Sequence, residues 1–459
     1  MTAVDRSRLP EVGPDPIFVF PRIVRHTLSN GLRVRTVEHQ TVPVVSCILQ
    51  VDGGAGADPM QYEGLAALTA DMLDEGTGRL TAIEVSEALA RLGAEYDVDV
   101  GADVTVLGVT TLSRFAEHAL LLLADLVARP SLRDADFHRV REMRLNRLRQ
   151  LKDLPPAVAE RTFLRLLYDG HPYGHLPIGT DAALRGLHPA DVEGFHARVF
   201  RPDAMTLIMV GPMSHERLRS MADTAFGGWV PDTQPAAGSV AAAIEPHLAP
   251  RTLALVPRAG AAQSELRIGH LSAKRSTPDY PALLVMNAVL GGQFVSRINL
   301  LLREEKGYTY GARTGFDWKR GLAPFSLQAS VHTAATADAI RGVLSELDAI
   351  RSARPPSDEE MALARASLTR GYSRNFETAP QVARSVAQLV LYDLPDAYFE
   401  EFVPRVSAVE AADVTRAAER YIDPSRAVTL IVGDHMAVGD SLVSLGLGEP
   451  ELLPADLEA

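Results

Sequence analysis

An echo 222 residues apart constrains this chain more than any other feature: "ADVEGFHARVFRPDAMTLIMVG" at 190–211 and "ADVTRAAERYIDPSRAVTLIVG" at 412–433 align without a gap. Asp191 falls on Asp413, Arg198 on Arg420, Pro202 on Pro424 and Gly211 on Gly433. Each copy reads as a helix, a proline-marked turn and a β-rich run that stops at glycine. Each also closes a half of similar length, so the chain reads as a duplication.

Between the halves, "PDTQPAAGSVAAAIEPHLAPR" (231–251) is rich in Pro, Ala and Gly and has no sustained apolar period, as a linker should. This sets a first domain at 22–230, a second at 252–435 and an acidic, proline-containing tail at 436–459 that is expected to be flexible. In the first half Asn30-Gly31 marks a turn before two strands, followed by helices at 61–75 and 81–92, a β-rich run at 94–112 and a long helical region at 113–168. The second half repeats the order loosely, with strands near 252–271, helices at 279–290 and 296–304, and strands at 308–331. Strands and helices in blocks predict an α+β protein of two homologous domains, each a mainly antiparallel sheet covered by helices.

At 459 residues with 46% hydrophobic content, the chain can bury more than one core. Its 58 acidic and 46 basic residues give a net charge of -12, which argues against a nucleic-acid or anionic-membrane partner. The single cysteine, Cys47 in "VPVVSCILQV", cannot form an internal disulfide and reads as a buried strand residue. The start has no apolar leader core, and "HALLLLADLVA" is too short to span a bilayer, so a cytoplasmic protein is expected.

The stretch "GLAALTADMLDEGT" at 64–77 places Leu65, Leu68, Met72 and Leu73 on one helical face, with Gly76 as the expected C-terminal cap. Ala67, Ala70 and Asp71 occupy the other side. The segment resembles the zinc helix of the pitrilysin and mitochondrial-processing-peptidase family, the inverzincins, in which "GLAHFLEHMLFKGT" or something close stands here. There H-x-x-E-H supplies two zinc-ligating histidines and a catalytic glutamate. Here "GLA", "ML" and "GT" keep the register, while Ala67, Ala70 and Asp71 stand at the histidine, glutamate and histidine positions. The family's third ligand, a glutamate in a pattern resembling "FERERxxxLEEI", falls at Asn146 or Arg147 of "FHRVREMRLNRLRQ". A catalytic zinc needs three protein ligands, an open position and a general base, so no metal site is expected in this chain.

Two other groupings have residue types that can ligate a metal. Asp71, Asp74 and Glu75 lie at i, i+3, i+4 near a helix C-terminus; they read as a solvated acidic end paired with arginine. His171 and His175 of "DGHPYGHLPIGT" are separated by Pro172 and Gly174, which break the helix that would align them, so a structural role is expected.

"GGQFVSRINLLLREEKGYTYGARTG" at 291–315 resembles the family's second-domain segment "GGxxSSRLFxxLREKxGLAYSV". By that resemblance Arg303 anchors the substrate backbone and Tyr310 hydrogen-bonds the scissile carbonyl, both acting in trans on a partner's zinc site. Donors of this kind stabilise charge gained in the transition state, each removal typically costing about 2.7 to 4 kcal/mol. Read without the motif, Arg303 pairs with an acidic neighbour and Tyr310 is a core aromatic. Tyr308 is a nearby competitor, and Gly291-Gly292 permits close backbone approach or a turn.

The resemblance runs from about residue 22 to 435 and includes "LVARPSL", "HPYGHLPIGT" and "FRPDAMTLIMVG". It implies half of a clamshell: a non-zinc-binding subunit, inactive alone, that supplies Arg303 and Tyr310 to a homologous H-x-x-E-H partner in a heterodimeric metalloendopeptidase. No cofactor is expected in this chain and zinc is expected in the partner; the substrate is a peptide or unfolded polypeptide, added as a strand to a sheet edge. The family also contains catalytically silent scaffolds, such as core subunits of the cytochrome bc complex, and a scaffold or peptide-binding protein is the alternative. An independent hydrolase built from the acidic cluster and the two histidines is a third reading.

Overall fold

Two six-stranded sheets carry the duplication in the computed structural model, which describes residues 18–230 and 241–454. The first has the spatial order β1 (Ile23–Thr27), β2 (Arg33–Glu38), β6 (Met205–Gly211), β3 (Val44–Asp52), β5 (Val104–Leu112), β4 (Glu95–Val100). The second runs β12 (Glu451–Leu452), β7 (Thr252–Pro257), β11 (Val428–Gly433), β8 (Gln263–Leu271), β10 (Pro324–His332), β9 (Ala312–Phe316). Most pairings are antiparallel; β6 on β2, β11 on β7 and β12 on β7 are parallel, so both sheets are mixed.

The repeated segments become the same structure twice. Helix Pro189–Val199 and a turn at Pro202–Ala204 lead into β6; helix Ala411–Tyr421 and a turn at Pro424–Arg426 lead into β11. Both strands lie third in their sheets, parallel to one neighbour and antiparallel to the other. A strand that returns long after its neighbour can lie parallel to it, because the intervening helices supply the crossover. The expected long helical region at 113–168 is three helices, Ala116–Ala128, Asp134–Lys152 and Pro155–Tyr168.

Each sheet packs one face on helices of its own half and the other on a helix lent by the opposite half. On the first sheet's own side Leu49, Leu68, Leu120, Phe137 and Phe195 share one core. On its far side Val37, Ile48, Ile208 and Val210 meet Val382, Ala383, Val386 and Leu389 of helix Ala379–Leu391, which belongs to the second half. Reciprocally, Ala159, Phe163 and Leu167 of helix Pro155–Tyr168 cover Ala254, Val256, Leu430 and Val432 of the second sheet. This double coverage explains the unbroken apolar run of β3, which is buried along nearly its whole length. Cys47 lies in that run, 2% exposed, its thiol pushed up to about 12 by burial. Polar contacts join the same seam: Arg320 Nη2 donates to Asp52 Oδ1 (2.8 Å), Arg320 N to Asp103 Oδ2 (3.0 Å) and Tyr168 Oη to the carbonyl of Leu322 (2.7 Å).

The tail departs from expectation. Helix His435–Val443 buries Val438 and Leu442 in the second core, and β12 extends the second sheet, with Leu453 N donating to Leu255 O at 2.9 Å. The two apolar residues lie one helical turn apart in a stretch read as flexible from its acidic, proline-containing end. Residues 231–240 of the expected linker and 455–459 of the tail lie outside the described residues. Among the described residues no helix is long and apolar enough to cross a membrane.

Candidate active site

The helix on which the resemblance places a zinc motif is Leu65–Asp71, and Asp58 holds its start. Asp58 accepts from Gly64 N at 2.8 Å and Ala66 N at 2.7 Å, and His175 Nε2 lies 3.1 Å from the same carboxylate. His171 Nδ1 accepts from Tyr173 N at 3.0 Å, and its Nε2 lies 3.1 Å from Ile244 O. Both histidines are thus engaged in holding backbone, His175 through Asp58. Ala67 and Ala70 are buried at 5% and 0% exposure and present only methyl groups.

Asp71 ends the helix, and Arg144 of helix Asp134–Lys152 reaches it, Nη1 to Oδ2 at 2.5 Å. Arg144 Nη2 also donates to Pro177 O at 2.5 Å. Asn146 accepts from Arg149 and Arg147 donates to Gln150, so neither pairs with Asp71. Glu75 pairs with Arg139. Two of the three acidic residues therefore meet arginines, as expected, although the Glu75 side chain is only 16% exposed and the end is less solvated than expected.

Asp71, Glu75, Arg144 and Arg147 wall a cavity of about 480 Å³ with Asp74, Tyr96 and Asp97. Partial desolvation there, then the charges of Glu75 and Asp71, push the Asp74 carboxyl up to about 6. Zinc does not fit this donor set. Two ligand-position residues lack donors or point elsewhere, and the remaining carboxylate is neutralised by a guanidinium whose charge repels a cation. No group of three His, Cys, Asp or Glu that could hold a metal ion occurs among the described residues.

The second motif is built on a tight turn of backbone. Gly291 lies against β9: a Cβ there would sit 2.5 Å from Thr314 Oγ1, and Thr314 N donates to Gly291 O at 3.0 Å. Asn299 clamps the segment, donating to Phe294 O at 2.6 Å and accepting from Ala312 N at 3.0 Å. Arg297 is buried and forked onto Glu360, Nε to Oε1 at 2.6 Å and Nη2 to Oε2 at 2.7 Å. Residues Leu300–Glu305 then form a π-helical turn, with Lys306 N bonded to Leu301 O, a feature frequent at functional sites.

Arg303 lies on that turn, its guanidinium 4.0 Å from the centre of the Phe294 ring and Nη1 3.4 Å from Glu304 Oε1. Tyr308 is tied down by a 2.7 Å hydrogen bond to Asp338, which raises its phenol above the usual range. Tyr310 is 92% exposed and makes no hydrogen bond among the described residues, so it is not a core aromatic. Phe294 and Gly311, the neighbours of Arg303 and Tyr310, line one cavity of about 480 Å³. That cavity and the one beside Asp71 share no residue.

Comparison with known proteins gives this geometry its context. The family model for insulinase (peptidase family M16) matches residues 33–181, and that for the peptidase M16 inactive domain matches 186–368. The chain belongs to the peptidase M16 family. An uncharacterized zinc protease of Mycobacterium tuberculosis is 24% identical over 413 residues, covering 90% of this chain and 93% of the relative. A probable mitochondrial-processing peptidase subunit beta of Schizosaccharomyces pombe is 24% identical and covers 59% of each. The M16 fold is plain from a crystal structure of a peptidase M16 inactive domain from Pseudomonas fluorescens, with a TM-score of 0.84 and 22% identity over 90% of this chain and 98% of that one. The family boundary near residue 186 falls inside the first structural half, which continues through β6 and helix His215–Phe226.

Sequence reasoning in M16 terms missed Arg144, Asp58 and Arg297. Arg144 carried a signal: with Phe137, Val140 and Leu148 it lies on the buried stripe of its helix, where a cation requires a partner.

Proposed function

We propose that this M16 chain is the zinc-free subunit of a two-chain zinc peptidase, contributing Arg303 and Tyr310 to a homologous partner that carries H-x-x-E-H. The observation that carries the reading is the Arg144–Asp71 ion pair at a position the family uses for metal, in a helix that otherwise keeps its cap and packing. The motif of the second half retains its glycine contact, its buried Arg297 anchor and an almost fully exposed Tyr310. A phenol held in solvent at the end of a well-anchored segment suits a group that acts across a cleft.

In this reading Tyr310 donates to the oxygen of the scissile carbonyl, and Arg303 binds a substrate backbone carbonyl. Tyr310 thereby adds a donor where negative charge develops, and Arg303 holds the substrate backbone in register for it. The free edge of β4 offers backbone groups for an extended peptide, which tolerates varied side chains. A partner in the cytoplasm and a clamshell assembly of four similar domains belong to the same proposal. The scaffold reading draws on one observation, the stacking of Arg303 on Phe294 beside Glu304, which already satisfies part of its charge.

The test is peptide hydrolysis and zinc content of the purified chain, alone and co-expressed with an H-x-x-E-H homologue. The expected result is a silent, zinc-free lone chain and an active pair, whose turnover falls by about 100-fold or more on Tyr310→Phe or Arg303→Ala. An intact, active pair indifferent to both substitutions makes the chain a scaffold. A lone chain that binds zinc and cleaves peptides refutes both readings.

A further inference from the structure

A third cavity holds a buried arginine that has no carboxylate partner among the described residues. Arg275 follows β8 and is 5% exposed. Its guanidinium lies 3.4 Å from the ring centre of Tyr280, with the rings of Tyr398 and Tyr392 at 5.1 Å and 5.4 Å. One nitrogen, Nη2, donates to Tyr398 Oη at 2.7 Å. Burial raises the Tyr280 and Tyr398 phenols above their usual range, so they remain neutral and supply no anion. Aromatic faces attract the cation, yet they satisfy few of the five N–H donors of a guanidinium. A buried cation ordinarily has a paired anion.

The cavity beside it measures about 340 Å³. Its wall contains a second arginine, Arg384, two glutamines, Gln381 and Gln388, and a set of tyrosine and phenylalanine rings, with no carboxylate. Arg384 forms no ion pair among the described residues, although its charge lowers the Asp97 carboxyl that burial raises. Two guanidinium groups, amide donors and flat apolar walls together match a ligand that is anionic at one end and planar at the other.

We propose that this cavity binds a small aromatic carboxylate, held at its carboxylate by Arg275 and Arg384 and along its ring by the tyrosine and phenylalanine walls. The site is independent of the peptidase reading: it lies between helix Tyr280–Leu290 and helix Ala379–Leu391, the latter being the element lent to the first sheet. A bound ligand would touch that helix along Gln381, Arg384 and Gln388.

The experiment is isothermal titration calorimetry of the whole chain with benzoate, benzamide and acetate. Benzoate is expected to bind with one-to-one stoichiometry, and benzamide and acetate at least about tenfold more weakly, since one lacks the charge and the other the ring. Arg384→Gln, at the open side of the cavity, should weaken benzoate about tenfold while leaving the circular dichroism spectrum unchanged. Arg275→Lys keeps the charge and removes the planar fork, and should weaken benzoate as well. Equal binding of benzoate and benzamide, no benzoate binding, or unchanged affinity in folded Arg384→Gln overturns the proposal and leaves Arg275 a structural pin. If Arg275→Lys does not fold, the Arg384 variant decides.

Discussion

Glu360→Gln tests how the second-half motif is held in place. Arg297 and Glu360 form a forked pair whose side chains are 4% and 31% exposed, and Arg297 also donates to Arg354 O and Pro355 O. The hydrogen bonds from Arg297 are the main reason the Glu360 carboxyl falls from 4.5 to about 2. At about 1.4 kcal/mol per pH unit this corresponds to about 3 kcal/mol, or about 2 kcal/mol after allowing for solvent over the exposed part. Glutamine can keep its oxygen as acceptor for Ser357 N and Arg297 Nη2, but its NH2 then faces Arg297 Nε, so the substitution removes the charge and one arm of the fork. The folded pKa is depressed, so this stabilisation is fully present above the ordinary glutamate value and disappears as pH falls towards about 2. Urea unfolding reported by Trp318, in a Trp229→Phe background, should show the variant about 2 kcal/mol less stable at neutral pH. The gap between the two proteins should close between about pH 5 and pH 2. A neutral-pH difference under about 0.5 kcal/mol, or one that does not shrink on acidification, refutes the reasoning.

Phe163→Ala removes a fully buried ring from the helix lent to the second sheet, and should cost about 3 to 5 kcal/mol. The loss should appear as exposure of the second sheet in hydrogen exchange, although the substituted residue belongs to the first half. Asp74→Asn bears on the opposite sign of titration. The Asp74 carboxyl is raised to about 6, so folding is disfavoured progressively as pH rises from its ordinary value through that point. The variant should be more stable than the parent above pH 6 and indistinguishable near pH 3.5, as followed by thermal melts across that range.

The repeat was the most legible part of the chain, because a helix, a proline turn and a strand buried on both faces leave little freedom in residue type. The same pattern located β6 and β11 and implied equivalent places in two sheets. The exchanged helices were not legible. A helix with an apolar stripe looks the same whether it covers its own sheet or another, so Pro155–Tyr168 and Ala379–Leu391 gave no sign of their destination. At the site, the sequence displays Ala67, Ala70 and Asp71 directly, whereas the Arg144–Asp71 pair depends on a contact 73 residues apart. Without the motif Tyr310 reads as a core aromatic, which the structure overturns, since an alternating run gives no information on where a strand begins. Here β9 starts two residues later, at Ala312, and leaves the ring in solvent.

The reciprocal loan of helices has a mechanical corollary. Two bodies joined only by a tether can swing, but two that each reach around and grip the other's back are dovetailed, and neither can rotate without uncovering a whole apolar sheet face. Covalent continuity between the halves is therefore not what keeps them together. Motion between the halves therefore costs the burial of both far faces at once, and in the two-chain reading proposed above a gap that admits a polypeptide would open between chains and not within one.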